Sequence, residues 1–269
     1  MNQEINIIDA VVEFCEKNLN ETAIEYFHKR QWTDETIKKW RLGFFPSNKV
    51  SELVSIVLKY KLDKNELVEK RIVTENNTTM FFNRVVFPIY NVHNQAIAVG
   101  GRTLTDTKPK YVNSFFQKAY NLYGLNHALA GIRETDRVYV FEGYADVITA
   151  HQNEIHNAVC CMGTAFNINH YYLLSRYTSN IFLVFDSDAG GDGAIRSFNK
   201  RDMESIDKSR ILGTKNKEVN VFIIALNQGK DPDEFLRQTS KDNFLDLVEK
   251  QKKDFIYQLR MKKLKPIGR

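Results

Sequence analysis

Asp186 and Asp188 follow the apolar run Ile181-Phe182-Leu183-Val184-Phe185 and open into Ala189-Gly190-Gly191-Asp192-Gly193. Two carboxylates two residues apart project to the same side of an extended backbone, and paired hard oxygens of this kind bind one divalent cation. The glycines behind them permit a sharp turn and let a ligand approach the backbone. Two further acidic elements have similar settings. Glu142-Gly143-Tyr144-Ala145-Asp146 follows the apolar run Val138–Phe141. Asp231-Pro232-Asp233, with Lys230 just before it, follows Val221–Leu226 and a short turn. Strand ends carrying Glu142, Asp186, Asp188, Asp231 and Asp233, with Asp146 and Lys230 as secondary candidates, suggest a metal site for phosphoryl transfer.

Other chemistries fit these residues less well. An EF-hand loop needs an oxygen ligand at its fifth position and a glutamate at its twelfth, where this chain has Gly190 and Ser197. Phosphatases that form an aspartyl phosphate carry a threonine two residues beyond the second Asp, and here that place is also Gly190. Simple turn capping by Asp is the plain alternative, and the two other strand-end acidic groups weigh against it. His93, His127, His151, His156 and His170 show no metal or triad spacing. Cys15, Cys160 and Cys161 form no CxxC pattern, so no zinc is expected. Gly100-Gly101-Arg102 is too short for a dinucleotide fingerprint.

The elements that must position the acidic groups follow from periodicity. Residues 5–19 read as an amphipathic helix, with further helices at about 21–30, from Thr33 to near Gly43, at 49–59 and at 63–70. Thr33 is a good cap for the third, with Asp34 and Glu35 near its positive end. Phe81–Tyr90 and Ala96–Leu104 are β-rich and read as a hairpin or meander. From about Arg133 strands alternate with helices: strands at 138–141, 158–162, 181–185 and 221–226, helices at 145–153, 168–176 and 193–206, then a helical stretch over 233–260. Such alternation implies a parallel sheet with ligands at the carboxyl ends of its strands.

A chain of 269 residues suffices for two modest domains, and 43% hydrophobic content is ordinary for a globular protein. No apolar run approaches the ~20 residues of a membrane helix, and the N-terminus lacks the layout of a signal peptide. A cytoplasmic location is the expectation. The net charge of +5 is unevenly spread. Residues 76–133 hold six Lys/Arg against one acid, 134–240 hold 15 acids against 11 Lys/Arg, and the stretch from Lys241 holds nine Lys/Arg against four acids. An acidic centre between basic flanks fits a cation site beside a polyanion track. Phe115, Phe116 and Tyr120 lie in the basic segment and could stack bases, though such aromatics more often belong to a core.

The order EGYAD, GTA (Gly163-Thr164-Ala165), FDSDAGG and GKDPDEFL resembles the TOPRIM domain of bacterial DnaG-type primases. Upstream, RVVFPIYN (Arg84–Asn91), VGGRTL (Val99–Leu104), PKYVNS (Pro109–Ser114) and NLYGL (Asn121–Leu125) are similar to the family's RNA-polymerase core. Trp32–Pro46 is similar to its early helical segment. The resemblance covers most of the chain in the right order, and its upstream motifs are specific for primases.

The resemblance implies an α/β fold. An α+β N-terminal subdomain over 1–133 would bind template and nucleotide, a TOPRIM-type parallel-sheet domain over 134–240 would follow, and a short helical segment over 241–269 would close the chain. It implies synthesis of short RNA primers on single-stranded DNA by two-metal nucleotidyl transfer. Glu142, Asp186 and Asp188 would be catalytic, and with Asp231 and Asp233 they would hold two or more Mg2+ or Mn2+ ions. Arg84, Arg102, Lys110, Asn113 and Lys118 would hold template and nucleotide phosphates. Expected partners are a single-stranded DNA template, ribonucleoside triphosphates and a replicative helicase, in a bacterial or phage-infected cell, with no membrane and a monomeric chain. Compared with the family, the loop between Ser114 and Lys118 is short, Tyr90 stands where a basic residue is common, and no zinc-binding or helicase-binding domain is expected. The chain would be a trimmed core or a compact phage-type version. The competing enzyme class is a TOPRIM nuclease. A topoisomerase would need further domains, and a non-catalytic single-strand or helicase-binding module would have no use for five carboxylates.

Overall fold

A computed structural model of the protein describes residues 5–185, 219–226 and 231–251, and the chain divides into two units, Met1–Gln117 and Lys118–Arg269. Asp186, Asp188, Lys230 and the helix expected at 193–206 lie outside the described residues.

In the first unit, Asn6 starts helix α1 (Ile7–Lys17) through a capping box. Its side chain accepts from the Ile8 and Asp9 amides while the Asp9 carboxylate accepts from the Asn6 amide. Helices α2 (Glu21–Lys29) and α3 (Asp34–Lys39) begin at Asn20 and Thr33, each accepting from a backbone amide in the first turn. The α3 helix ends before Gly43, which begins strand β1 (Gly43–Phe45) rather than stopping a helix. A Cβ on Gly43 would lie 2.6 Å from the Cys15 backbone, so glycine is what lets β1 lie against α1. Helices α4 (Val50–Lys59) and α5 (Asn65–Glu69) follow.

Strands β2 (Arg84–Tyr90), β3 (Ala96–Thr103) and β4 (Tyr111–Asn113) complete an antiparallel sheet in the order β1-β2-β3-β4. The expected strand from Phe81 starts only at Arg84, because Asn83 takes a positive φ of 51° and the chain turns there. The hairpin closes at 91–95, where the Asn91 amide donates to the Gln95 carbonyl. Ile8, Val11, Val12 and Cys15 of α1 pack with Phe45, Val86 and Val99 of the sheet and Leu53 and Val57 of α4.

The second unit contains α6 (Leu125–Thr135), β5 (Val138–Phe141), α7 (Tyr144–Gln152), β6 (Ala158–Cys160), α8 (Ile168–Leu174), β7 (Asn180–Phe185), β8 (Asn220–Ala225), α9 (Pro232–Gln238) and α10 (Lys241–Gln251). Among the described residues its strands are parallel, in the order β6-β5-β7-β8. The chain adds β6 on one side of β5 and then crosses to add β7 on the other. The carboxyl ends of β5 and β7 therefore form a switch point, the usual place for a ligand on an open parallel sheet. Of the helical stretch expected over 233–260, residues 252–260 lie outside the described residues, and the part up to Gln251 holds two helices with a break after Gln238. Thr239 is extended there, and the Ser240 hydroxyl accepts from the Asn243 amide to start α10. All three cysteines are buried thiols. Among the described residues no helix is long and apolar enough to cross a membrane.

Candidate functional site

Glu142 is the first residue after β5 and is exposed. Its neighbour Gly143 caps α7, and the Gly143 amide donates to Asp146 Oδ2 at 2.9 Å. The loop after β6 reaches the same place, because the Gly163 amide donates to the Glu142 carbonyl at 3.3 Å. Gly163 does so at a φ of +76°, a left-handed conformation that glycine adopts at little cost. The GTA motif thus stitches two strand ends together.

Asp231 is also exposed and caps α9. Its Oδ1 accepts from the Glu234 amide at 2.7 Å, and Pro232 occupies the first helical position. Asp233, two residues on, is 1% exposed. Its amide donates to Asp146 Oδ1 at 3.1 Å. Its own Oδ1 accepts from the Thr149 hydroxyl at 2.5 Å, and its Oδ2 lies 3.3 Å from Arg237 Nε. The structure therefore brings Asp146 and Asp233 into one buried network. Burial pushes the Asp146 carboxyl up to about 8, helped by the charges of Asp233 and Asp231 and opposed by the two amides it accepts from. Among the described residues, no three His, Cys, Asp or Glu gather closely enough to hold an ion.

Four of the basic and polar candidates belong to the first unit. Arg84, Arg102 and Asn113 lie on the antiparallel sheet of the first unit, where Val85 pairs with Arg102, Arg102 with Tyr111 and Gly100 with Asn113, and Lys110 immediately precedes β4. Arg84 is buried, and its guanidinium donates to the Met80 and Lys110 carbonyls at 2.9 and 3.1 Å. That burial lowers its pKa. Arg102 is half-buried, 4.6 Å from the Tyr26 ring centroid and 5.9 Å from that of Tyr111. Its Nε is buried with no hydrogen-bond partner among the described residues. A cavity of about 360 Å³ opens beside it, lined by Arg102, Thr103, Thr105, Lys108 and Lys110 among others. Lys110 itself is exposed.

Lys118 opens the second unit, half-buried, with a pKa lowered by burial. Its carbonyl faces His170 Nε2 at 3.0 Å. Of the aromatics that could stack bases, Phe116 is half-buried. Phe115 and Tyr120 are more than half exposed, with Arg71 over the Phe115 ring at 5.1 Å. Sequence reasoning missed Thr149 and Arg237, which lie one turn beyond Asp146 and Asp233 on their helices. That spacing is the only local signal they carry.

Residues 12–129 match the family model for the DNA primase catalytic core, N-terminal domain, and residues 139–236 match the Toprim-like model. The DNA primase of Clostridium acetobutylicum is 34% identical over 252 residues, covering 91% of this chain and 40% of that protein. The chain spans about two fifths of the length of the curated relatives it matches. Among solved structures, a DNA primase domain from Pseudomonas aeruginosa is 30% identical with a TM-score of 0.78, covering 97% of this chain and 84% of that one. A DnaG primase catalytic domain bound to single-stranded DNA is 25% identical with a TM-score of 0.75, covering 97% and 84% respectively.

Proposed function

Because the chain belongs to the bacterial DNA primase catalytic-core family, we propose that it joins ribonucleotides into short RNA primers on a single-stranded DNA template. One observation carries this. Glu142 follows β5 and Asp231 caps the helix after β8, and these strands flank β7, whose sequence runs on into Asp186-Ser187-Asp188.

The exposed carboxylates of Glu142 and Asp231 suit a hard divalent ion, magnesium or manganese. Glu142, Asp186, Asp188 and Asp231 are the residues that would hold it, with Asp233 beside them. When bound, such ions activate the attacking 3′-hydroxyl and neutralise the departing pyrophosphate. The chain's own part is positioning and charge. Arg102 and Asn113 offer donors on the sheet of the first unit, Lys110 offers one just before β4, and Lys118 adds one in the second. These hold template and nucleotide phosphates, contacts that give affinity with little sequence information. Arg84 contributes by fixing the Lys110 backbone rather than by presenting its charge.

The test is a primer-synthesis assay with labelled ribonucleotides on single-stranded template, with and without a replicative helicase, the expected partner. Template-dependent RNA product in Mg2+ or Mn2+ supports the proposal. DNA cleavage in manganese without nucleoside triphosphates would make the protein a nuclease. Strand binding with no product under either condition would reduce it to a binding module.

A further inference from the structure

The two acidic loops at the edge of the parallel sheet are not neighbours through the sheet. Strands β5 and β8 are separated by β7, which puts their ends about 10 Å apart at the normal strand spacing. Something else must fix that separation. Helices α7 and α9 pack together, and the polar groups between them form a continuous chain. The Gly143 amide donates to Asp146 Oδ2, the Asp233 amide to Asp146 Oδ1, and the Thr149 hydroxyl to Asp233 Oδ1. Arg237 Nε closes the chain as an ion pair with Asp233 Oδ2, without hydrogen-bond alignment. Asp146 and Asp233 are both buried. One carboxylate therefore grips the backbone of both loops, at the residue after Glu142 and two residues after Asp231.

We infer that Asp146, Thr149, Asp233 and Arg237 are positioning residues forming a buried strut that sets the spacing of the Glu142 and Asp231 loops. Asp233, although its motif groups it with metal ligands, directs its oxygens to Thr149 and Arg237 and braces the site from behind. Buried polar networks of this kind hold a unique geometry when their members are satisfied. Residues that orient metal ligands usually carry a tenfold to hundredfold share of metal affinity. The strut rests on the primase reading only for what the two loops do.

The experiment measures Mn2+ binding by paramagnetic resonance, and amide exchange by mass spectrometry or NMR, on the full chain and its variants. Thr149→Val removes the hydroxyl at nearly constant shape. It should weaken Mn2+ binding about tenfold and speed exchange at the Gly143 and Asp233 amides, with β5 exchange unchanged. Thr149→Ser should restore both. Asp233→Asn should resemble Thr149→Val, whereas Glu142→Gln should remove measurable binding. Unchanged exchange in Thr149→Val, or an Asp233→Asn loss as deep as that of Glu142→Gln, would overturn the strut. Wild-type protein that binds no Mn2+, or binds it without making primers, would overturn the primase reading, while the exchange pattern would still decide the strut.

Discussion

The antiparallel sheet of the first unit and the parallel sheet of the second handle charge in opposite ways. The antiparallel sheet carries its cations along the strands, where side chains alternate between faces. One of them, Arg84, turns inward onto two backbone carbonyls, and another, Arg102, lies near two tyrosine rings. The parallel sheet has strands without charged side chains and places its acids in the loops beyond their ends. A sheet buried on both faces has nowhere else to put charge. Arg84 in the first unit is therefore tied to fold stability, whereas acids at the strand ends of the second can gather repulsion without breaking the strands. Substitutions should separate the two.

The largest effect is expected at Asp186. Carboxylates clustered without a cation repel one another, so Asp186→Asn should raise the melting temperature in chelator while eliminating primer synthesis. Loss of several kcal/mol of charge stabilisation in the transition state corresponds to at least about a thousandfold. Primer synthesis that survived the substitution would remove Asp186 from the metal site, and the contrast between the sheets would lose its functional half.

Arg84→Ala should show the opposite signature. Removing the guanidinium leaves the Met80 and Lys110 carbonyls without it, a cost of about 2–3 kcal/mol. Chemical denaturation should register that loss in the first unit. Stability unchanged from wild type would mean that Arg84 is a surface cation after all, and that the inward cation is no property of this sheet.

Much of this was legible in the sequence, and the gaps have physical causes. The strands of the second unit read correctly to within two residues, because their apolar runs are short and rich in β-branched and aromatic residues, and three of the four end in Gly or acid. The three-residue β1 was not legible, since its strand character comes from pairing with β2 and from contact with Cys15. Helix α6 was hidden by Gly131, an interior glycine that lowers helix propensity. A Cβ there would meet the His156 backbone at 3.0 Å, so the glycine serves packing rather than breakage. The acidic motifs were visible by type, but the division of labour among them was not. Asp146 and Asp233 are joined by a hydrogen bond across 87 residues of sequence, and no local pattern reports which carboxylates a fold will bury. The direction of Arg84 had the same problem, since alternation does not reveal which face a cation will take.

A third contrast concerns protons. Asp146 ionises near pH 4 in an unfolded chain and at about 8 in the folded one, chiefly through burial. Between those values the folded state binds the extra proton, so stability falls as pH rises from about 4 to 8 and levels off above. Metal-free protein should lose on the order of 5 °C in melting temperature between pH 5 and 8. Asp146→Asn should flatten that slope. An equal slope in the variant would place the titrating group elsewhere.

The smallest effect sharpens the other side of the comparison. Lys110 is exposed while its carbonyl serves Arg84, so Lys110→Ala removes a charge and leaves the backbone contact in place. Stability should stay within about 0.5 kcal/mol of wild type. If the side chain meets a template phosphate, one fewer counterion is released on binding. The slope of log affinity against log salt for single-stranded DNA should then shrink by about 0.7. An unchanged slope would take Lys110 off the track. A large fall in stability would instead show that the exposed Lys110 side chain is as structural as Arg84.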